Sequence, residues 1–418
     1  MMFRPVRGMK DLYGTDIRKY NYIINKAVQI GEKYGYSIIN TPILEYTDVF
    51  VRAIGDETDI VSKEMYTFLD KGGESITLRP EGTAGIMRAI VTESMTQSLP
   101  VKLMYYGEMF RYDRPQKGRY RQFHQLGCEH VGDKSPYTDA ITIALAVEIL
   151  NSIGIFDFKV LINTLGDTKT REDYTKGLVK YLSRHEGDLS EDSKRRLVKN
   201  PLRILDSKDK KDREICLMSP VITDYLSKES LTYFEKVCSL LSKFGVNYEV
   251  NNFLVRGLDY YTHTTFEFKP VSGEYREALG GGGRYDNLLS AFKGADVSGI
   301  GFAIGIERLM LLLEDNKFLP VSKKVAVIPV SENENDTSFD LLKTLYSCEI
   351  EAEFLHMGTI TKKLKVANRL QCKLALIVGE TEFKNGTVTV KFMNQEDSSL
   401  KTKLITRDDV VNFIKCNL

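Results

Sequence analysis

Residues 105–129 read YYGEMFRYDRPQKGRYRQFHQLGCE. Five cations, Arg111, Arg114, Lys117, Arg119 and Arg121, fall within eleven positions, and an alternating run then leads through Gln125 and Gly127 to Glu129. The whole chain has a formal net charge of +1, so the cations form a local patch that needs a local explanation. The apolar alternation predicts two strands, 103–112 and 120–131, joined by a basic loop, 113–119. Along the second strand Gln125, Gly127 and Glu129 share one face, and His124, Leu126, Cys128 and His130 share the other. The first face offers polar groups on either side of a gap. It suits a small polar ligand, and it equally fits an ordinary solvated sheet face. The HQLGCEH cluster does not read as a zinc site, because ligands at i and i+2 stand in a row about 7 Å apart instead of converging. Arg111 is expected inside the first strand, where an unpaired guanidinium is costly and a phosphate oxygen is a fitting bidentate partner. The loop cations suit a nucleic-acid backbone or a polyphosphate, or simply water.

Four other segments share this character. TLRPEGT (77–83) sets Arg79 and Glu81 around a proline turn; Glu81 can meet an ammonium group or lie at a helix N-terminus. LVRGLDYY (254–261) puts Arg256 among apolar and aromatic residues, which implies a buried anion or a structural ion pair. GGGGRYD (280–286) removes side chains where backbone or ligand must come close. GIGFAIGIERL (299–309) carries Arg308 near the start of a helix, where backbone N–H groups favour an anion. Its GxGxxxG pattern is not a dinucleotide fingerprint, since no βαβ unit with a ribose-binding acid follows. With no GxxxxGK[ST] loop either, arginines must take the place of a glycine cradle if a nucleotide binds.

The 418 residues allow two to three domains. Six cysteines are scattered without a CxxC pair, which favours reduced thiols and a cytoplasmic protein. No apolar run is long enough to span a bilayer and the N-terminus lacks a secretory pattern. Helices are expected over 16–34, 82–96 and 136–153, with a hairpin around KGGE (71–74) and an edge or interface position for Pro42. The stretch 169–239 turns helical and charged, as an insertion. Strands and a turn-rich segment reach 287. After Pro320 a βαβα alternation with a hairpin at KNGT (384–387) reads as a separate α/β domain.

Together these motifs resemble the class II aminoacyl-tRNA synthetases, and within them the histidyl-tRNA synthetase family. FRYDRPQKGRYRQFHQ is similar to class motif 2, and GIGFAIGIERL to motif 3. LVRGLDYYT and GGGGRYD are similar to the two histidine-specific signatures. RGMKDLYG (7–14), TLRPEGTAG and SKRRLVKNPLRILDSKD (193–209) extend the match over nearly the whole chain. The resemblance implies an α+β catalytic domain with an antiparallel sheet flanked by helices (1–168 and 240–320), a helical insertion (169–239) and a C-terminal α/β anticodon-binding domain (321–418). It implies ATP with Mg²⁺, L-histidine and tRNA(His) as reactants, and a homodimer.

The roles it implies are specific. Arg111 and Arg256 lie at the α-phosphate as catalytic cations; Arg308, Arg119 and Tyr120 complete the ATP site. Glu81, Thr83 and Gln125 take the α-ammonium, and Glu129, Tyr260, Tyr261 and Tyr285 surround the imidazole. Gln116 approaches the acceptor end. Lys362, Lys365 and Arg369, at helical spacing in GTITKKLKVANRLQCK (358–373), form a basic face for RNA. Two other readings are a histidine-sensing regulatory paralogue, which lacks the C-terminal domain, and a non-catalytic pseudo-synthetase, which is expected to lack one of the three key arginines.

Overall fold

The two strands around the basic loop stand second and third from one edge of an eight-stranded sheet. The computed structural model describes residues 3–55, 58–273, 275–294, 296–318, 324–393 and 402–418, in two compact units, Met1–Phe318 and Leu319–Leu418. The expected boundary at 320/321 lies outside the described residues.

The first unit opens with helix α1 (Gly14–Lys33), strands β1 (Ser37–Ile38) and β2 (Leu44–Tyr46), and α2 (Thr47–Ile54). The KGGE hairpin follows as β3 (Tyr66–Leu69) and β4 (Ser75–Leu78), then α3 (Thr83–Thr92), β5 (Val101–Phe110), β6 (Gln122–Val131), α4 (Pro136–Ser152) and β7 (Phe158–Thr164). The insertion carries α5 (Thr168–Leu182), α6 (Glu191–Lys199) and α7 (Lys210–Cys216). Next come α8 (Lys228–Lys243), β8 (Tyr248–Val250), β9 (Thr262–Pro270), β10 (Gly280–Tyr285), β11 (Gly299–Gly305) and α9 (Ile306–Met310).

The large sheet runs β1-β5-β6-β11-β10-β9-β7-β8. Its inner pairs are antiparallel, and β1 and β8 add in parallel at the two edges. The strand alternation separates two environments. Leu126, Cys128, Phe266 and Phe302 point into a core with residues of α1, α4 and α8, such as Ile23, Ile143 and Leu241. The opposite face carries the polar residues and a second core with α2 and α3.

Several expectations need correction. Arg111 lies just past the end of β5, where its N–H still bonds the Arg121 carbonyl at 2.9 Å. The 82–96 helix stops at Thr92, and the left-handed Ser94 (φ 56°) starts a separate 3-10 turn. GGGGRY is a strand and not part of a turn, because β9 and β11 pair with it on both sides. Its glycines are demanded by neighbouring backbone: a Cβ on Gly282 would fall 1.9 Å from the Gly301 carbonyl oxygen, and one on Gly280 2.3 Å from that of Ala303. In the insertion, α5 to α7 and the linking turns build a core around Tyr174, Leu178, Leu197 and Ile204 that also takes in Leu165 and Tyr261. Helix α8, in contrast, contributes Phe234, Val237 and Leu241 to the core of the large sheet.

The second unit holds β12 (Val325–Pro329), α10 (Asn335–Ser347), β13 (Ala352–Phe354), α11 (Ile360–Arg369), β14 (Leu374–Val378), α12 (Glu380–Asn385), β15 (Thr387–Phe392), β16 (Thr402–Thr406) and α13 (Val410–Asn417). Its sheet runs β13-β12-β14-β15-β16. Val325 and Val327 face α10 and α13, while Ala326 and Ile328 face α11. KNGT is not a hairpin turn. Gly386 (φ 65°) ends α12 in the left-handed conformation that glycine adopts readily.

Candidate active site

The floor of the site is β6. Register places Glu129 between Leu103 of β5 and Gly301 of β11, and Gly127 between Tyr105 and Ala303. Both glycines make room. A Cβ at Gly301 would lie 1.8 Å from Glu129 Oε2, and one at Gly127 2.3 Å from Tyr105 Cζ. The Tyr105 ring therefore lies across the gap read from the sequence. Its hydroxyl is buried without a hydrogen-bond partner, as is Gln125 Oε1. We expect Gly127→Ala to displace that ring and cost about 1–3 kcal/mol of stability by overpacking, read as a lower denaturation midpoint.

Glu129 is 1% exposed. Its Oε1 accepts from Thr83 Oγ1 at 2.7 Å and its Oε2 from the Tyr285 hydroxyl. Burial pushes its carboxyl up to about 8, against the lowering effect of those two hydrogen bonds. Tyr260 closes the space above, 4.6 Å from Tyr261 and edge-on to Tyr285 at 5.8 Å between ring centroids.

Glu81 caps α3, accepting from the N–H groups of Thr83 and Ala84 at 2.8 Å each. This is the helix-terminal arrangement expected as one of its two readings. A carboxylate has about four acceptor sites, so it can still take further donors. Burial raises its pKa, opposed by those amide bonds. Arg79 has a supporting role: it donates to the Glu108 and Thr41 carbonyls at 2.8 and 2.9 Å.

The three arginines meet here. Arg111 donates Nε to the Pro80 carbonyl at 2.8 Å and lies over the Phe123 ring; burial depresses its pKa. Arg256 pairs with Glu267 through Nη1, while its Nε is buried and unpartnered. Burial works to lower the Arg256 pKa, but Glu267 and Tyr261 together carry it upward. Arg308 donates to the Ala278 carbonyl. All three line one cleft of about 1400 Å³ together with Glu81, Thr83, Gln125, Glu129, Tyr260, Tyr261 and Tyr285. Arg119 and Tyr120 line it too, and Arg119 lies 3.1 Å from Asp113 and 3.6 Å from Glu277.

Gln116 is exposed at the turn of the basic loop, outside this lining. Lys362, Lys365 and Arg369 belong to the other unit. They are exposed on α11, whose Lys363 turns inward to the Pro329 carbonyl at 2.7 Å. Sequence reading passed over Tyr105, Glu267 and Glu307. Tyr105 could have been found from its register opposite Gly127. Glu267 carried no local signal. Glu307 binds the His124 ring at 2.7 Å and its backbone N–H at 2.9 Å. His124 is thereby engaged, and Cys128 is buried in the apolar core. Among the described residues no group of three His, Cys, Asp or Glu is placed to hold a metal ion.

A family model described as Histidyl-tRNA synthetase matches residues 8–309, and one described as Anticodon binding domain matches 324–417. The histidine–tRNA ligase of Rhodospirillum rubrum is 40% identical over 412 residues, 98% of this chain and 99% of that one. That of Wolbachia pipientis subsp. Culex pipiens is 43% identical over 415 residues, 99% of this chain and all of that one. The crystal structure of apo S. aureus histidyl-tRNA synthetase superposes with a TM-score of 0.80 at 35% identity, covering 99% of this chain and 100% of its own. A polar floor walled by three arginines, on a fold and sequence shared end to end with these proteins, makes this chain a member of the histidyl-tRNA synthetase family of class II aminoacyl-tRNA synthetases.

Proposed function

We propose that the cleft on β6 performs both steps of histidine activation and transfer with the residues named above. The chain is a histidine–tRNA ligase, using ATP to join L-histidine to tRNA(His). The observation that supports the residue assignment is the convergence of Arg111, Arg256 and Arg308 with Glu81, Gln125 and Glu129 in one cleft. In the first step a histidine carboxylate oxygen attacks the α-phosphorus of ATP. The bond to the bridging oxygen breaks and pyrophosphate leaves with its electron pair. Arg111 and Arg256 meet the negative charge that builds on the α-phosphate oxygens. Arg308, Arg119 and Tyr120 hold the rest of the nucleotide. Mg²⁺ would enter with ATP and offset charge on the polyphosphate; among the described residues no group of three His, Cys, Asp or Glu is placed to hold it independently of the nucleotide.

Glu81, Thr83 and Gln125 bind the α-ammonium. Glu129 and Tyr261 bond the two imidazole nitrogens, with Tyr285 orienting Glu129 and Tyr260 packing over the ring. In the second step a hydroxyl of the tRNA's terminal adenosine attacks the carbonyl carbon and AMP leaves. The hydroxyl proton passes to a phosphate oxygen of the adenylate. Gln116 approaches the acceptor end, and Lys362, Lys365 and Arg369 meet the RNA backbone. Histidine-dependent ATP–pyrophosphate exchange, run against the other standard amino acids, tests the reading. Exchange with histidine alone is expected, and its absence despite intact histidine binding would favour a sensor.

We further propose that the protein acts in the cytoplasm as a homodimer built on the small sheet β2-β4-β3. Leu44, Tyr46, Tyr66, Phe68, Ile76 and Leu78 share one face by register. Tyr46 is 61% and Phe68 47% exposed, and they flank Ile76 in one cross-strand apolar row. Phe68→Glu is expected to shift the mass in light scattering from dimer towards monomer; an unchanged mass counts against this face. No helix among the described residues is long and apolar enough to cross a membrane.

A further inference from the structure

The insertion lines the cleft with four cations: Arg196, Arg203, Lys208 and Arg213. Three of them are engaged. Arg196 lies 3.7 Å from Asp59, Lys208 lies 3.5 Å from Glu277, and Arg213 donates to the Lys208 carbonyl at 3.2 Å. Arg203 differs: its Nη1 is buried with no hydrogen-bond partner. Asp59, the acid whose field it reaches, is already shared by Lys63 at 3.0 Å and Arg196. A buried guanidinium N–H left unpaired is costly, so its position calls for a reason.

That position is tightly determined. Leu202, Ile204 and Leu205 on either side are buried in the insertion's core, which turns Arg203 outward into the cleft. Asn200, at the start of the same turn, donates to Asp259 Oδ1 at 2.9 Å, tying the turn to the loop of the first histidine signature. Gly257 of that loop leaves the guanidinium its place: a Cβ there would lie 3.1 Å from Arg203 Nη1. A segment of the insertion and a glycine beside Arg256 thus jointly bring one more cation into the site.

We propose that Arg203 binds a backbone phosphate at the 3′ end of the tRNA and positions that end for the second step. This rests on the ligase reading. Arg111, Arg256 and Arg308 already supply the positive charge an ATP polyphosphate needs, and they come from loops adjoining the large sheet and from helix α9. Arg203 comes from the insertion. The remaining anion of the reaction is the RNA backbone, and a guanidinium fork fits a phosphate.

The test uses the full-length protein. Pyrophosphate exchange is measured beside single-turnover transfer from preformed histidyl-adenylate to tRNA(His). Arg203→Ala is expected to slow transfer and raise the tRNA KM about ten- to a hundredfold, the value of one charged hydrogen bond, with a far smaller effect on exchange. The slope of log affinity against log salt becomes shallower by about 0.7, as for one lost single-strand phosphate contact. Arg203→Lys recovers part of the loss, since it keeps the charge without the fork, and it also serves if the alanine protein does not fold. Equal loss in exchange and transfer would overturn the proposal, leaving Arg203 as a support for the 256–261 loop. So would no loss in either. A wild-type protein without histidine-dependent exchange would instead remove the ligase reading itself.

Discussion

Arg256→Ala is expected to cut histidine-dependent ATP–pyrophosphate exchange about a hundred- to a thousandfold while histidine still binds. The magnitude is that of removing one preorganised donor from a developing oxyanion. Arg256 fits that role because its neighbours hold it in place and leave part of it unused: Nη1 is committed to Glu267, and Nε is buried without a partner. The α-phosphate gains charge between ground and transition state, so a fixed cation there lowers the barrier more than it tightens binding. The loss should therefore fall on kcat, with the histidine Kd from calorimetry changed little. A structural ion pair makes a different forecast. If Arg256 only neutralised Glu267, then Glu267→Gln would reduce exchange as much as Arg256→Ala, and the double variant would lose nothing further. Unchanged exchange in Arg256→Ala excludes the catalytic role outright.

The contrast between Arg256 and Glu267 also marks what could be read from the chain. β5 and β6 were legible because one face of each is buried in the α1/α4/α8 core and the alternation records it. The glycine-rich segment misled for a physical reason. Clustered glycines usually mean turns, yet Gly280, Gly281, Gly282 and Gly283 are strand residues packed against the backbone of both neighbours. KNGT misled in the same way, since a glycine that ends a helix looks locally like one that turns a hairpin. The arginines stood out because a guanidinium among apolar residues needs an anion. What holds them did not, because Arg256–Glu267, Thr83–Glu129 and Tyr285–Glu129 join residues from different elements, the last pair 156 positions apart. The helix-terminal reading of Glu81 was legible, and its oxygens do accept from the Thr83 and Ala84 amides at the start of α3. Arg203 looks like any arginine in a charged helical run until its buried neighbours on either side are known.

Glu129 carries the other large effect, and it has a signature in pH. Glu129→Gln is expected to raise the histidine KM by about a hundredfold, because the imidazole loses a charged acceptor and one of Thr83 and Tyr285 loses a partner. Burial sets the folded pKa near 8, whereas 4.5 is its ordinary value. Between those values the folded protein holds a proton that the unfolded chain has released. Stability from this group is therefore complete below about pH 4.5 and declines as pH rises towards 8, by up to about 1.4 kcal/mol per pH unit. Above pH 8 both states have lost the proton and the slope vanishes. Glu129→Gln carries no titrating group at this position, so its stability relative to wild type should improve steadily across that window. Denaturant midpoints of the two proteins at pH 5, 6, 7 and 8 read the difference directly, and parallel curves would refute the shift. Histidine binding closes the cycle. An imidazole entering beside a protonated Glu129 can share that proton, giving a carboxylate that accepts from one ring nitrogen while the other faces Tyr261. Because that proton stays in the complex, bound histidine should keep this slope between about pH 6.5 and 8, where free imidazole and the unfolded chain's Glu129 have both released theirs, and the Gln variant should lack it.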